Sequence, residues 1–198
     1  MIQGIAIMGL NGCGKSTLAH ALAKKTGYFE MDAEDYYFPG QRQSRRLALE
    51  GCAGGKAENP FSDPEPKDTV ERAMIQDIRV HPRFVIAGVT MNWRTEICEK
   101  IDIAFVLQAS KDVRMKRIQR REELRFGQRV LPGGDMFAQQ EQFRQMAEKR
   151  DPGMSLESAK KLGCPVVVLD AELPVKENLR MIVEILRKDQ YKYLPPID

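Results

Sequence analysis

Eight residues near the amino terminus have the types and spacing to hold a polyphosphate. Gly9-Leu10-Asn11-Gly12-Cys13-Gly14-Lys15-Ser16 fits G-x-x-x-x-G-K-[ST]. Glycines permit the tight turns that bring successive backbone N–H groups to face one point, and such a nest binds anions. Lys15 can reach the β- and γ-phosphates of a nucleotide, and the Ser16 hydroxyl can ligate Mg²⁺. The candidates for nucleotide contact are therefore Gly9, Asn11, Gly12, Cys13, Gly14, Lys15, Ser16 and Thr17.

Two further groups of side chains suit chemistry on a phosphate. Asp32 ends a short apolar run and opens a polar-aromatic cluster, Asp32 to Phe38. The carboxyl end of a parallel strand is where ligands of open α/β sheets sit, so Asp32 is placed to face the phosphates. Asp32 and Asp35 can serve as base, acceptor contact or metal ligand, although Asp32 can equally be a helix cap. Arg117, Arg121 and Arg125 recur every four residues on one helical face and can converge on a triphosphate as it transfers charge. Arg94 can clamp an anionic group on the acceptor or form a surface ion pair. Arg42, Arg45 and Arg46 can meet an anionic substrate or simply lie on a solvated face.

The elements that must position these groups follow from hydrophobic pattern and turn signals. The run 2–8 reads as a buried parallel strand, and 17–26 as a helix stopped by Gly27. Further strands are expected over 28–32, 84–89, 102–107 and 163–170. Helices are expected over 41–50, 68–80, from Ser110 through the basic run, from Asp135 to Arg150, from Ser155 to Leu162, and from Pro174 to the end of the apolar pattern. The stretch 39–66 is the least regular and suits a lid or substrate-binding excursion. Residues 126–137, with Pro132-Gly133-Gly134, read as the tip of a mobile lid, and 191–198 as a loose tail. The strand expected beside the first one ends in Ala87-Gly88, where a metal-binding carboxylate would usually stand. Asp170 imitates such a carboxylate, but it comes too late in the chain and is assigned to the sheet edge beside the nucleotide base.

Composition narrows the class. At 198 residues the chain suits one α/β domain, and its net charge of +3 does not by itself argue for a nucleic-acid partner. Cys13, Cys52, Cys98 and Cys164 show no paired metal spacing and read as reduced thiols of a cytoplasmic protein. The first apolar run leads straight into the phosphate loop and reads as neither signal peptide nor anchor, and no later run is long enough to span a bilayer.

The chain resembles the P-loop small-molecule kinases: nucleoside monophosphate kinases, uridine-kinase-like enzymes, and shikimate and gluconate kinases. The phosphate loop opens the chain after a first strand, and Asp32 follows the second, as the substrate- and magnesium-facing carboxylate does in shikimate-kinase-like proteins. Arg117 to Arg125 is similar to the arginine-rich lid of uridine-kinase-like and adenylate-kinase-like enzymes. Gly88 to Thr95 is similar to a Gly-Phe-Pro-Arg-Thr stretch of monophosphate kinases, with extra residues and no proline. The resemblance implies a three-layer P-loop NTPase fold with a five-stranded parallel sheet in order 2-3-1-4-5. It also implies one domain over 1–198, with a substrate-binding insertion at about 39–66 and a lid at about 117–137. ATP and Mg²⁺ are the implied cofactors, and a nucleotide and a small-molecule acceptor the implied partners. Lys15, Asp32, Arg121 and Arg125 are the expected catalytic residues, with Arg117 on the nucleotide. Asp32, Asp35 and Arg94 are expected on the acceptor, and Ser16 and Asp32 on the metal. The alternatives are a slow nucleotide-dependent switch and a kinase of polynucleotide ends that uses the basic helix as a track.

Overall fold

The computed structural model describes residues 2–42 and 64–188. Their centre is a sheet of five parallel strands, β1 (Gly4–Gly9), β2 (Phe29–Asp32), β3 (Phe84–Gly88), β4 (Ile101–Gln108) and β5 (Val166–Asp170). Their order is β2-β3-β1-β4-β5, as the resemblance implied. Between the strands run α1 (Lys15–Thr26), α2 (Ala33–Tyr37), α3 (Lys67–Val80), α4 (Thr95–Cys98), α5 (Lys111–Phe126), α6 (Phe137–Glu148) and α7 (Met154–Lys160), and α8 (Val175–Lys188) follows β5.

The central strand β1 is buried along its whole length, so both of its faces must be apolar. Ile5 and Ile7 pack with Leu18 and Leu22 of α1 and Ile182 and Leu186 of α8. Ala6 and Met8, pointing the other way, pack with Met74 and Ile78 of α3, Ile97 of α4 and Ala159 of α7. Helices thus cover both faces. Parallel register brings three carboxyl strand ends to one level: Met8 of β1 pairs with Gly88 of β3, and Asp32 of β2 with Ala87.

Several boundaries differ from the expectation. Helix α1 starts at Lys15, not Thr17, because Gly14 in a left-handed conformation turns the loop directly into the helix. The helix expected from Asp135 begins at Phe137, since Asp135 instead accepts from the Arg129 guanidinium across a 3₁₀ turn, Gly127–Val130. Ser155 is buried inside the first turn of α7 rather than capping it. Strand β5 starts at Val166, after Gly163 with φ 73°. Ser110 does cap α5, its Oγ accepting from the Val113 N–H at 3.4 Å. The helix expected over 41–50 lies outside the described residues apart from its first two positions, so Arg45 and Arg46 do too, as does the tail 191–198.

Candidate active site

The loop between β1 and α1 is shaped by close packing as much as by open space. A Cβ on Gly9 would stand 2.6 Å from the Leu107 carbonyl oxygen, so Gly9 lets β1 leave the sheet against β4. A Cβ on Gly12, at φ +85°, would stand 2.4 Å from the Arg114 carbonyl oxygen. Gly14, at φ +90°, has open space beside it. Residues Asn11 to Leu18 then line a cavity of about 370 Å³, together with Arg117, Arg121 and Arg125 of α5. Ala171, Leu173, Val175 and Asn178 close its other flank, just past β5, which is where the sequence placed the nucleotide base. Arg117 ties the two flanks together, its Nη1 donating to the Ala171 carbonyl at 2.8 Å. Asp170 turns away from this cavity and accepts from the Glu172 N–H.

Lys15 is buried, and its Nζ donates to the Leu10 carbonyl at 3.3 Å. Burial holds its ammonium below the usual lysine pKa, against the pull of the Glu34 and Asp32 carboxylates. Cys13, buried in the same loop, has its thiol pushed up by burial, which keeps it protonated and poorly nucleophilic. The three described cysteines are free thiols, and Cys52 lies outside the described residues.

A second cavity, of about 530 Å³, lies at the carboxyl ends of β2 and β3 and is lined also by residues of α5 and α6. It shares Asn11, Lys15, Glu34, Arg121 and Arg125 with the first, so the two meet at a wall of one carboxylate, one amide and three cations. Asp32 lines the second cavity at 7% exposure, its Oδ1 accepting from the Glu34 N–H at 3.0 Å to cap α2. Asp32 thus caps α2 and lines the cavity at once. Asp35 follows on α2 but lines neither cavity. Arg94 also lines neither: its Nε donates to Glu71 at 3.2 Å and its Nη2 to Asp68, which hold it on α3. The surface ion pair, the alternative read for it from sequence, is what forms.

Four residues of this site had no role assigned from the sequence. Glu34 lines both cavities. Arg150, beyond α6, lines the second and donates from Nη1 to the Asn11 side chain at 2.7 Å. Arg114 is buried and reaches the Asn11 and Ala147 carbonyls, both at 3.3 Å. Glu122 lines the second cavity at 2% exposure, paired with Arg144 of α6 at 2.8 Å, and burial raises its carboxyl pKa. The only signal for Glu122 and Arg114 was their spacing with Ile118 and Phe126 at every fourth residue, which is the buried face of α5. Their charge disguised it.

A family model described as an AAA domain matches residues 5–129. The chain belongs to the AAA domain family. Another relative of this AAA-domain protein is YqaC of Bacillus subtilis (strain 168), described as an uncharacterized protein. It is 25% identical over 194 residues, covering 94% of this chain and 98% of its own. Among solved structures, a sugar kinase from Janibacter sp. HTCC2649 matches with a TM-score of 0.52 at 16% identity, over 100% of both chains. Shikimate kinase from Acinetobacter baumannii, solved with shikimate, matches with a TM-score of 0.50 at 13% identity, over 97% of each chain. At these identities the likeness is one of fold, and the fold is that of the P-loop kinases. No helix among the described residues is long and apolar enough to cross a membrane.

Proposed function

We propose that this AAA-domain protein transfers the γ-phosphoryl of ATP to a small-molecule acceptor. The observation that carries the reading is the shared wall. Lys15, Arg121 and Arg125 face a cavity on the phosphate loop and a second cavity beside Asp32, so a group can pass between two bound molecules without leaving a field of positive charge. The kinases among the structural neighbours support the same chemistry.

In this reading the backbone amides of Gly12, Gly14 and Lys15 cradle the β-phosphate. The Lys15 ammonium balances charge that builds on the bridging oxygen. Arg121 and Arg125 hold the transferring phosphoryl in line, and Arg117 fixes the flank beside the base. Asp32 orients the acceptor hydroxyl and takes its proton. Positioning and electrostatics are enough, because this transition state needs little covalent help.

Mg²⁺ fits the donor set. Among the described residues no group of three or more His, Cys, Asp or Glu side chains could cage a metal. Mg²⁺ needs no such cage, since it keeps several waters and takes one or two protein oxygens beside the phosphates. The Ser16 hydroxyl, with Asp32 or Glu34 in place of the carboxylate that Ala87-Gly88 lack, would supply them. The ion would neutralise the β- and γ-phosphate oxygens.

The polynucleotide-end reading gains little support from α5. Arg114 is buried and Arg117, Arg121 and Arg125 turn to the cavities, which leaves Lys111, paired with Glu148, and Lys116 and Arg120 outward, too few for a backbone track. The test is a panel of metabolites and nucleotides scored for acceptor-dependent ADP release. A large stimulation by one small acceptor is expected, abolished by Lys15→Ala with the fold retained. Release that responds only to a macromolecule would replace the kinase by a switch.

A further inference from the structure

The walls of the second cavity narrow the acceptor. On the sheet side they are Tyr37 and Phe38, at the end of α2, and Trp93, after β3. The Tyr37 and Trp93 rings lie 6.0 Å apart at 34°, and Tyr37 and Phe38 are 6.5 Å apart. On the lid side they are Phe126, Phe143 and Met146. Tyr37, Trp93 and Phe143 are only half-buried, and Met146 is 41% exposed. These apolar surfaces are therefore not used up by the core.

The polar lining is uneven. Asn11, Lys15, Asp32, Glu34, Arg121, Arg125 and Arg150 belong to the phosphate loop, the end of β2 and the lid arginines. Apart from these and the aromatic rings, the described polar lining is Thr90, Gln140 and Glu122, and Glu122 is bound by Arg144. A polyol needs a hydrogen-bond partner for each hydroxyl it desolvates, and leaving one unmet costs affinity. A flat ring needs π-faces and polarizable methionine instead.

Charge decides the reacting group. Of the cations on this cavity, Lys15, Arg121 and Arg125 stand on the wall shared with the phosphate loop and Arg150 donates to the Asn11 side chain, so a phosphate acceptor would compete with the nucleotide for them, would stand beside Asp32, and would need no base. An alcohol uses a carboxylate for its proton. Arg94, the cation next to Trp93 in the chain, is held by Glu71 and Asp68 and is not offered to an anion.

We infer that the acceptor is an uncharged alcohol carrying a flat heteroaromatic ring, a nucleoside being the common form, seated between Tyr37/Trp93 and Phe143; this rests on the phosphotransfer reading above. The alcohol oxygen forms a bond to Pγ as the bond from Pγ to the β,γ-bridging oxygen breaks. The bridging electron pair leaves with ADP, and the alcohol proton passes to Asp32 and then to solvent.

Trp93 is the one tryptophan in the chain, so its fluorescence reports on this wall alone. With Mg²⁺ and a non-hydrolysable ATP analogue present, purine and pyrimidine nucleosides and hydroxymethyl pyridines and pyrimidines are titrated, beside shikimate, gluconate, ribitol and nucleoside monophosphates. ADP release with ATP is measured on the same panel. At least one ring-bearing alcohol should quench Trp93 saturably and raise ADP release about tenfold or more, while polyols and monophosphates do neither. Trp93→Leu should raise KM for that alcohol by about tenfold or more, the loss expected of one stacking face, with KM for ATP unchanged, and Trp93→Phe should restore most of it. Release driven by a polyol or a monophosphate but by no ring-bearing alcohol overturns the inference and leaves phosphotransfer standing. ATP bound by calorimetry with silence across the whole panel overturns the inference and the kinase reading together, leaving only nucleotide binding.

Discussion

Replacing Lys15 with methionine should push stability and activity in opposite directions. The side chain is 8% exposed and its ammonium makes one long hydrogen bond, to the Leu10 carbonyl at 3.3 Å. Burial lowers its pKa from the usual 10.5, with Glu34 and Asp32 opposing. Without nucleotide it is a desolvated charge held for use. Methionine keeps the length and removes the charge, so the apo protein should gain about 1–2 kcal/mol at pH 7, or roughly 2–8 °C in Tm for a chain of this size. The pH dependence fixes the cause. A lysine whose folded pKa is depressed binds its proton more tightly when unfolded, so wild-type stability rises with pH over the window below 10.5. The advantage of methionine must therefore shrink between pH 7 and pH 10. Activity should fall by about 10²–10³ or more, the loss that follows removal of one preorganised donor to developing charge. Mg²⁺–ATP should raise Tm for the wild type far more than for the variant. Urea melts at the two pH values, calorimetry with ATP and ADP release read all three. A variant less stable than wild type without nucleotide, by the same amount at both pH values, would refute the account of Lys15 as a strained, functional charge.

The loop glycines should separate by space rather than by backbone angle. Gly12→Ala meets the Arg114 carbonyl and should cost about 3 kcal/mol or more, whereas Gly14→Ala, at a similar φ with nothing within 4 Å, should cost only the left-handed penalty of about 1–2 kcal/mol, both read from denaturant midpoints. Arg94→Ala removes a partner of buried Glu71, so stability should fall by about 1–3 kcal/mol while KM for the acceptor moves less than about threefold. For Glu122→Gln the sign comes from burial, which raises the folded carboxyl above its ordinary 4.5. Such an acid stabilises the fold below that value and loses the contribution as pH rises through its folded pKa, so melts at pH 4.5 and pH 7 should show the difference shifting in favour of glutamine.

What the sequence showed depended on whether a residue's type announced its surroundings. Glycine spacing and an apolar strand announced the phosphate loop, and short apolar runs announced the other strands, while their order came from the resemblance to the P-loop kinases. Asp32 was legible because a strand end in a parallel sheet is a predictable place. Arg117, Arg121 and Arg125 were legible as a group because four-residue spacing puts them on one helical face, and that face lines the cavity on the phosphate loop. Arg94 was left open between an anion clamp and an ion pair, because the partners that decide it, Asp68 and Glu71, are more than twenty residues away on α3. Glu122 and Arg114 were hidden because binary patterning treats a charge as outward-facing. Each is buried by a partner no local window contains: Arg144 for the one, and the Asn11 and Ala147 carbonyls for the other.

Those hidden charges explain how the helix pair α5–α6 aims its arginines. Asn11 is held twice from that pair. Arg114, in the first turn of α5, grips its carbonyl, and Arg150, past the end of α6, grips its side chain. The two ends of the helix pair are thereby bolted to one residue of the phosphate loop. Between the bolts, Glu122 and Arg144 lock α5 to α6, so Arg121 and Arg125 ride on a braced pair of helices rather than on a loop. The packing of Phe126, Val130 and Met136 into a small core of their own lets the tip between those helices hold its shape apart from the sheet. A charge network therefore fixes the two ends of the helix pair, and a separate apolar cluster holds its tip. The one asparagine gripped from both ends is also one of the five residues that both cavities share. Loosening either bolt should thus disturb nucleotide and acceptor together, whereas loosening the tip cluster should disturb the acceptor alone.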